Sequence, residues 1–231
     1  MPTFEQNIAN IRARITAAAQ LAQRDHNDIK LMAVSKTRSA EDVRLAATCG
    51  IGNFGENYLQ EASAKINVLH GLAIDWHFIG PLQSNKTKPV AEHFSWVHSI
   101  DRLKIAQRLN DQPPSELPPL NICLQINIDH EPSKSGLMAE DALGIARAIA
   151  QLPKLRLRGL MSIPRSYNDL DGQREPFRKL RILKQEINCE LDNLQKLDTL
   201  SMGMSADIEA AILEGATIIR VGTGIFGPRN N

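Results

Sequence analysis

Short apolar runs alternate with helical patterns eight times in this sequence of 231 residues, and the alternation limits the possible folds more than any other feature. The first of these runs, 29–34, is bounded by polar residues, and its length and continuity fit a parallel strand that is buried on both faces. Alternating strands and helices of this kind predict an α/β protein. The predicted strands are 29–34, 51–54, 75–79, 96–100, 120–128, 157–163, 197–202 and 217–221.

Helical periodicity lies between the strands and also precedes the first one. Residues 3 to about 24 carry apolar side chains at helical spacing and predict an extra N-terminal helix. Ser39, with Asp42 three residues on, predicts an N-cap and a capping box for a helix that ends near Gly50. The other predicted helices are 57–70, 84–94, 101–111, 138–151, 173–194 and 205–215.

Eight strand–helix units favour a single (β/α)8, or TIM, barrel with an extra N-terminal helix. An open doubly wound sheet has the same alternation and is the alternative. Barrels of this kind often take about 200–250 residues, which fits the chain length. The Pro-rich segment 112–119 leads directly into a strand and favours a stiff loop over a linker. The sequence therefore predicts one domain over residues 1–231.

Composition excludes several classes of function. Lys and Arg number 27 against 26 for Asp and Glu, and this balance argues against a nucleic-acid-binding protein. Cys49, Cys123 and Cys189 are far apart, which predicts neither a disulfide scaffold nor a zinc site. The N-terminal residues do not resemble a signal peptide, and no apolar run approaches the roughly 20 residues that span a bilayer. We expect a soluble, cytoplasmic protein without membrane or nucleic-acid partners.

Lys36 follows the first apolar run directly. Reactive groups of barrels lie at the carboxyl ends of the strands, so Lys36 is expected at the barrel mouth. Partial shielding from water favours the neutral amine there, and a neutral amine can form an imine with an aldehyde. A solvated lysine at a strand end is the alternative that this position alone leaves open.

The loops after the seventh and eighth strands carry small and hydroxyl residues. Ser201 ends the seventh strand, Ser205 precedes a helix, and Gly222 and Thr223 follow the eighth strand. Barrels often bind phosphate at these loops, where backbone N–H groups and hydroxyls face the anion. The glycines could instead serve only to form turns. A phosphate site opposite a strand-end lysine is a more specific signal than either feature alone.

Other polar residues are weaker candidates. Arg220 lies within the eighth strand, and an arginine inside a barrel needs an anion or a strong acceptor. It could donate to the ring nitrogen of a heteroaromatic ligand or form a structural ion pair. Asn57 follows the second strand and could contact a ligand or cap a helix. His77, in the third strand, fits a core residue better than a catalytic base, and motifs for serine hydrolases, zinc proteases and phosphate-loop enzymes do not occur.

Several short segments carry a resemblance to a known family. The most specific of them is WHFIGPLQSNK at 76–86. The others are AVSKT at 33–37, FGENY at 54–58, SIDR at 99–102, KSG at 134–136, RGLM at 158–161, SMGMS at 201–205 and RVGTGIFG at 220–227. From about residue 5 to 229 the sequence resembles the pyridoxal phosphate homeostasis proteins, whose barrel is related to the N-terminal domain of alanine racemase.

The resemblance implies pyridoxal 5′-phosphate (PLP) as the cofactor, held by Lys36 as an internal aldimine. Ser201, Gly222 and Thr223 would hold the phosphate. Arg220 would face the pyridine nitrogen, where a cationic partner discourages protonation of the ring and weakens it as an electron sink.

Three further residues are assigned to the cofactor site. By the same resemblance Met204 and Ser205 would lie close to the phosphate, and Asn57 would contact the cofactor because of its position after the second strand. The resemblance implies no metal site.

The family balances vitamin B6 and amino-acid pools without established catalysis, so the resemblance implies a PLP carrier that acts as a monomer. Apo-enzymes that accept PLP are the expected protein partners.

Two enzymatic functions are alternatives. An amino-acid racemase needs a second acid or base on the opposite face of its substrate, and Tyr58 and Tyr167 do not lie at convincing positions for it. A barrel enzyme that forms an imine between Lys36 and a phosphorylated sugar would need no PLP.

Overall fold

The structure is a computed structural model that describes residues 3–192 and 195–228. Within these residues the eight predicted strands are all present, and they pair in parallel in sequence order to form a closed barrel, β1 to β8. The strands are β1 Lys30–Val34, β2 Asn53–Glu56, β3 Asp75–Phe78, β4 Trp96–Ile100, β5 Leu120–Gln125, β6 Leu155–Met161, β7 Thr199–Ser201 and β8 Ile218–Val221. The barrel is confirmed, and the open sheet is excluded because β1 also pairs with β8.

Helices follow the strands around the outside of the barrel. They are α1 Phe4–Leu21, α2 Ala40–Thr48, α3 Leu59–Val68, α4 Thr87–His93, α5 Leu103–Asp111, α6 Ala139–Ile149, α7 Leu170–Glu190, α8 Ile208–Leu213 and α9 Thr223–Phe226. The capping box of Ser39 and Asp42 at the start of α2 is confirmed. None of the described helices is both long and apolar enough to cross a membrane.

The predicted boundaries differ from the structure mainly in the second half of the chain. Helix α7 begins at Leu170 rather than at residue 173, because Asp169 caps it by accepting a hydrogen bond from the Gly172 N–H at 2.8 Å. The predicted end of that helix, residues 193–194, lies outside the described residues. Helix α9, directly after β8, was not predicted, since its four residues are too few for periodicity to reveal.

The main apolar core lies between the barrel and its helices, and the barrel interior is different. A separate apolar cluster of Trp96, Cys123 and Met161 lies apart from the main core. The buried side chains of His98 on β4 and Ser201 on β7 share a hydrogen bond of 2.8 Å. These two strands are not neighbours in the barrel, so the bond crosses its interior. The interior therefore combines apolar packing with hydrogen-bonded polar groups, whereas most such barrels are filled with branched apolar residues.

Helix α1 covers the part of the barrel where the helix after β8 would normally lie. It packs against α8, α9 and α2, and its face of Ile8, Ile11 and Ile15 is buried. Arg14 binds Glu209 on α8 through two hydrogen bonds of 2.7 Å. The short α9 leaves a gap in the ring of helices, and α1 fills it.

Candidate functional site

A cavity of about 340 Å³ opens at the carboxyl ends of the strands. It lies between the segments that follow β1, β7 and β8. The residues that line it are Val34, Lys36, Arg38, Asn57, Ile79, Met161, Ile163, Met204, Ser205, Ala206, Arg220, Gly222 and Thr223. Every residue that we assigned to a cofactor site from the sequence is among them except Ser201. The topology of the barrel therefore brings together side chains that are up to 187 positions apart, from Lys36 to Thr223.

Lys36 is the second residue after β1 and is partly buried at the cavity wall. The chain turns there, because Thr37 has a φ of 64°, in the left-handed region that residues other than glycine rarely adopt. The Thr37 N–H donates to Glu61 Oε1 at 2.5 Å, and this bond holds the turn in place. The backbone on both sides of Lys36 is thus fixed by the protein.

A buried ionic cluster behind the cavity fixes Ser35, the residue before Lys36. Lys65 on α3 donates to the Ser35 carbonyl oxygen at 2.7 Å, to Glu56 at 2.8 Å and to Glu61 at 2.5 Å. The Ser35 hydroxyl donates to Glu56 Oε1 at 2.6 Å. Burial raises the pKa of Glu56, and the bonds from Lys65 and Ser35 oppose that rise. The sequence analysis did not identify this cluster, because no pattern links residues 35, 56, 61 and 65 before the fold is known.

The loop after β7 approaches the loop after β8 at one side of the cavity. Gly203 has a φ of 92°, and a Cβ there would lie 2.5 Å from the Ala211 Cβ, so only glycine fits. The Met204 N–H donates to Asp207 Oδ1 at 2.5 Å, which fixes the turn that presents Ser205. Burial raises the pKa of Asp207 above its usual value.

Gly222, Thr223 and the first turn of α9 complete this side of the cavity. Short helices after the last barrel strand often present backbone N–H groups to phosphate. The hydroxyls of Ser205 and Thr223 belong to residues that line the same cavity. The arrangement therefore has the donors that an anion needs.

Arg220 lies at the bottom of the cavity, and hydrogen bonds to groups inside the barrel fix its side chain. Its guanidinium donates to the carbonyl oxygen of Ser162 at 2.8 Å, to the Ser201 hydroxyl at 2.8 Å and to the Ser201 carbonyl oxygen. Burial lowers the pKa of Arg220 to about 10, so the group remains charged at neutral pH. These oxygen acceptors are the partners of Arg220, in place of the structural ion pair that was the alternative for this residue in the sequence.

Ser201 lies below the cavity rather than in its wall. Its side chain is completely buried, and its hydroxyl contacts Arg220 and His98. The structure therefore does not bring the Ser201 hydroxyl together with Ser205 and Thr223. The sequence alone could not show which of these hydroxyl residues line the cavity, because all of them lie at or just after the ends of strands seven and eight.

Asn57 reaches the cavity from the loop after β2. Its Oδ1 atom is buried and has no hydrogen-bond partner among the described residues. A Cβ at Gly80 would lie 2.1 Å from the Asn57 carbonyl oxygen, so the loops after β2 and β3 can touch only because residue 80 is glycine. An unpaired buried acceptor at the cavity wall is expected to have a ligand donor as its partner.

The sequence analysis missed Arg38, a second fixed cation at the cavity. Its guanidinium donates to the carbonyl oxygens of Gly227 at 2.5 Å and Pro228 at 3.0 Å. It also lies over the ring of Phe226 on α9, 5.7 Å from the ring centroid. Its position two residues after Lys36, near the end of the first strand, was the available signal. Arg38 and Arg220 make the cavity positively charged and suited to an anion.

A second lobe of about 260 Å³ adjoins the cavity and shares Asn57, Ile79 and Ile163 with it. Lys134 lines this lobe, which places it at the barrel mouth rather than in bulk solvent. Its amine donates to the Ile163 carbonyl oxygen at 3.2 Å.

Comparison with known proteins agrees with the fold. The family model of the alanine racemase N-terminal domain matches residues 6–230. The chain is 56% identical over 230 residues to a pyridoxal phosphate homeostasis protein of Pseudomonas aeruginosa, covering 100% of this chain and 97% of that protein. It therefore belongs to the pyridoxal phosphate homeostasis proteins within the alanine racemase N-terminal domain family.

Solved structures give the same result. PipY of Synechococcus elongatus, determined with PLP bound, superposes with a TM-score of 0.80 at 36% identity and covers 92% of this chain and 100% of its own. Alanine racemase of Corynebacterium glutamicum has a TM-score of 0.66 at 16% identity, and the match covers 96% of this chain and 61% of the racemase. The racemase shares the fold only.

Proposed function

We propose that this protein binds PLP in the cavity at the barrel mouth and serves intracellular vitamin B6 and amino-acid homeostasis without catalysing a reaction of its own. The observation that carries the proposal is the position of Lys36, partly buried at the wall of an anion-suited cavity. The PLP-bound relative and the curated relative support the choice of cofactor.

The residues of the cavity fit the cofactor chemically. Lys36 provides an amine for the aldehyde, and the Ser205 and Thr223 hydroxyls with the backbone of Gly222 provide donors for the phosphate. Met204 would pack beside the phosphate. PLP, when bound, supplies an aldehyde that joins covalently to an amine and a pyridine ring that withdraws electrons. The cavity contains a residue for each of these groups.

Arg220 is the residue that we assign to the pyridine nitrogen. Its guanidinium keeps its charge and is fixed by Ser162 and Ser201. A cation at this place donates a hydrogen bond and discourages protonation of the ring, which makes the ring a weaker electron sink. Asn57, with its unpaired buried oxygen, would accept a hydrogen bond from the ligand. These roles favour storage of the cofactor over carbanion chemistry.

The racemase function is the alternative, and the shared fold with alanine racemase is the observation that favours it. Within the part of the chain that the structure describes, neither Tyr58 nor Tyr167 lines the cavity or its second lobe. Exchange of the α-proton of common amino acids with deuterated solvent, measured by NMR, separates the two functions. Exchange that depends on Lys36 and is accompanied by inversion at the α-carbon would establish the racemase.

The attachment of PLP to Lys36 is tested by reduction with borohydride and peptide mapping. We expect the reduced cofactor on the peptide that contains Lys36, as a gain equal to the mass of PLP less one oxygen atom, because imine formation releases water and reduction adds two hydrogens. The Lys134→Ala variant is the control at the same barrel mouth and should give the same labelled peptide. A label on another lysine would contradict the assignment, and a sugar-phosphate mass would favour the imine-forming sugar enzyme.

We further propose that the protein acts as a cytoplasmic monomer and hands PLP to apo-enzymes. In the presence of a phosphatase that digests free PLP, the loaded protein should restore the activity of an apo-enzyme that requires PLP faster than free PLP at the same total concentration. Equal rates of reactivation by the loaded protein and by free PLP would count against transfer. Sedimentation at micromolar concentration tests the monomer.

A further inference from the structure

A continuous line of hydrogen bonds crosses the inside of the barrel below Arg220. The Arg220 guanidinium donates to Ser201 Oγ at 2.8 Å, and Ser201 Oγ lies 2.8 Å from His98 Nδ1. His98 Nε2 lies 2.9 Å from His77 Nδ1, and His77 Nε2 lies 3.1 Å from Asn53 Oδ1. The line therefore runs from the cavity floor to the first residue of β2.

The end of this line determines the direction of every bond in it. Asn53 Oδ1 can only accept, so His77 must carry its proton on Nε2. The Nδ1 atom of neutral His77 then accepts from His98 Nε2, which leaves His98 Nδ1 as an acceptor for the Ser201 hydroxyl. The lone pairs of Ser201 Oγ are thereby turned toward Arg220. A single acceptor at Asn53 fixes both tautomers and the serine rotor.

Burial keeps both histidines neutral, as this direction requires. Burial, assisted by the charge of Lys30, lowers the pKa of His77 to about 3. Burial lowers the pKa of His98 well below its usual range, and His77 and Arg220 add to the effect. The Trp96 ring stacks on His77 with centroids 5.5 Å apart and an interplanar angle of 15°, which restricts rotation of the imidazole.

We propose that Asn53, His77 and His98 are positioning residues for Arg220: their hydrogen-bond line orients the Ser201 hydroxyl as an acceptor and so fixes which guanidinium donors face the cavity. Three of the five N–H donors of Arg220 go to Ser162 and Ser201. The guanidinium cannot rotate without breaking those bonds. This inference rests on the proposed function, in which the cavity side of Arg220 meets the pyridine nitrogen.

The tautomers are tested directly on the full-length protein without added cofactor. Long-range proton–nitrogen NMR of the protein labelled with ¹⁵N-histidine should show His77 and His98 as Nε2–H tautomers, identified by the loss of each signal in His77→Gln and His98→Gln. The other histidines, His26, His70, His93 and His130, are exposed and provide an internal reference for rings in contact with water. An Nδ1–H tautomer or an imidazolium at either buried position at pH 7 would overturn the inference.

The effect on the cofactor is tested at the far end of the line, where the substitution does not touch the cavity. Asn53→Leu removes the last acceptor and should release PLP about fivefold faster, the change expected when one hydrogen bond to Arg220 is weakened. Asn53→Asp keeps an acceptor oxygen and should retain both Nε2–H tautomers and the wild-type release rate. Release from Asn53→Leu at the wild-type rate would overturn the inference. Failure of the proposed function would instead appear as no labelled Lys36 peptide in the wild-type protein.

Discussion

The two buried histidines make the stability of the protein depend on pH. The pKa of His77 is lowered to about 3, whereas the unfolded side chain titrates near 6.5. Below about pH 6.5 the unfolded state takes up a proton that the folded state does not, so stability falls as the pH falls toward 3. Between pH 7 and pH 5 we expect a loss of about 2 kcal/mol for each of His77 and His98.

Chemical denaturation at both pH values measures this loss. The His77→Gln variant should lose about 2 kcal/mol less than the wild type between pH 7 and pH 5. The exposed His70→Gln is the matched control and should lose as much as the wild type. Equal pH dependence in all three proteins would show that His77 is protonated in the folded state.

The hydroxyls of Thr223 and Ser201 should behave differently on substitution. Thr223 lines the cavity, and Thr223→Val should release PLP about tenfold faster, because a hydrogen bond to a charged group is lost. Ser201→Ala leaves Arg220 and His98 without a shared partner and should lower the free energy of unfolding by about 1–3 kcal/mol. Release rates and denaturation curves of both variants test the distinction. If Ser201→Ala releases PLP tenfold faster and is as stable as the wild type, Ser201 instead binds the phosphate.

At this scale the sequence identified most residues of the cavity but not how they are held. Lys36 and Thr223 follow strands directly, so a barrel topology places them at the mouth. The partners of Ser201 could not be predicted, because His98 is a lone histidine in an apolar run and only the closed barrel brings it opposite β7. Arg38 was missed because a cation near a strand end is usually solvated.

Among the elements, α3 is attached to the end of β1 by Lys65. Its amine is 5% exposed and contacts Glu56, which is completely buried. Removing one member of a buried ion pair leaves the other charge unpaired, so Lys65→Met should cost about 3–5 kcal/mol in the free energy of unfolding. Lys104→Met, at an exposed lysine of α5, is the control and should change stability by less than about 0.5 kcal/mol. A loss below about 1 kcal/mol for Lys65→Met would show that the cluster relaxes around the gap.

Helices α7 and α8 are joined by Glu214, which directly follows α8. Arg174, Arg178 and Arg181 of α7 all contact its buried carboxylate. Burial acts to raise the pKa of Glu214, but the hydrogen bonds from Arg181 and Arg174 outweigh it, so the pKa lies below its usual value. The carboxylate therefore stabilises the protein above the pKa of the unfolded chain, and this contribution is lost as the pH falls through the lower folded pKa.

Glu214→Gln tests this junction. At pH 7 the variant should be about 1–3 kcal/mol less stable than the wild type, since the arginines are partly exposed and solvent weakens the pairs. The difference in stability between the wild type and the variant should become smaller below about pH 4, because Glu214 of the unfolded wild-type chain is protonated there. Thermal or chemical denaturation across this range measures it. A difference that does not change with pH would assign the effect to packing.

The order and type of the elements could be predicted, and their ends less well. The segment 96–100, with apolar residues at both ends, predicts a strand, and β4 has those bounds. The segment 168–172 contains two Asp residues and a Gly, which are typical of loops, yet Asp169 uses its side chain to start α7. Tertiary packing decides such ends, and local composition does not record it.

For the molecule as a whole, α1 links the stability of the barrel to the cofactor site. Ile11 is buried, and its Cδ1 atom lies 3.2 Å from the place of a Cβ on Gly224, in α9. Ile11→Ala should cost about 2–5 kcal/mol in the free energy of unfolding and also speed the release of PLP. Leu21→Ala, on the same helix but 76% exposed, is the control and should change neither property. If Ile11→Ala is less stable but releases PLP at the wild-type rate, α1 does not affect the loops that bind the phosphate.

Helix α1 fills the gap left by the short α9. It therefore leaves the ribosome before α8 and α9, the helices against which it packs in the folded barrel. Ile8, Ile11 and Ile15 cannot complete their packing until α8, Ile208–Leu213, has been made. At about 5–20 residues per second this wait lasts roughly 10–40 s. During that interval the apolar stripe of a nascent chain is open to chaperones and to neighbouring chains, and the barrel can close only after β8, Ile218–Val221, has been made.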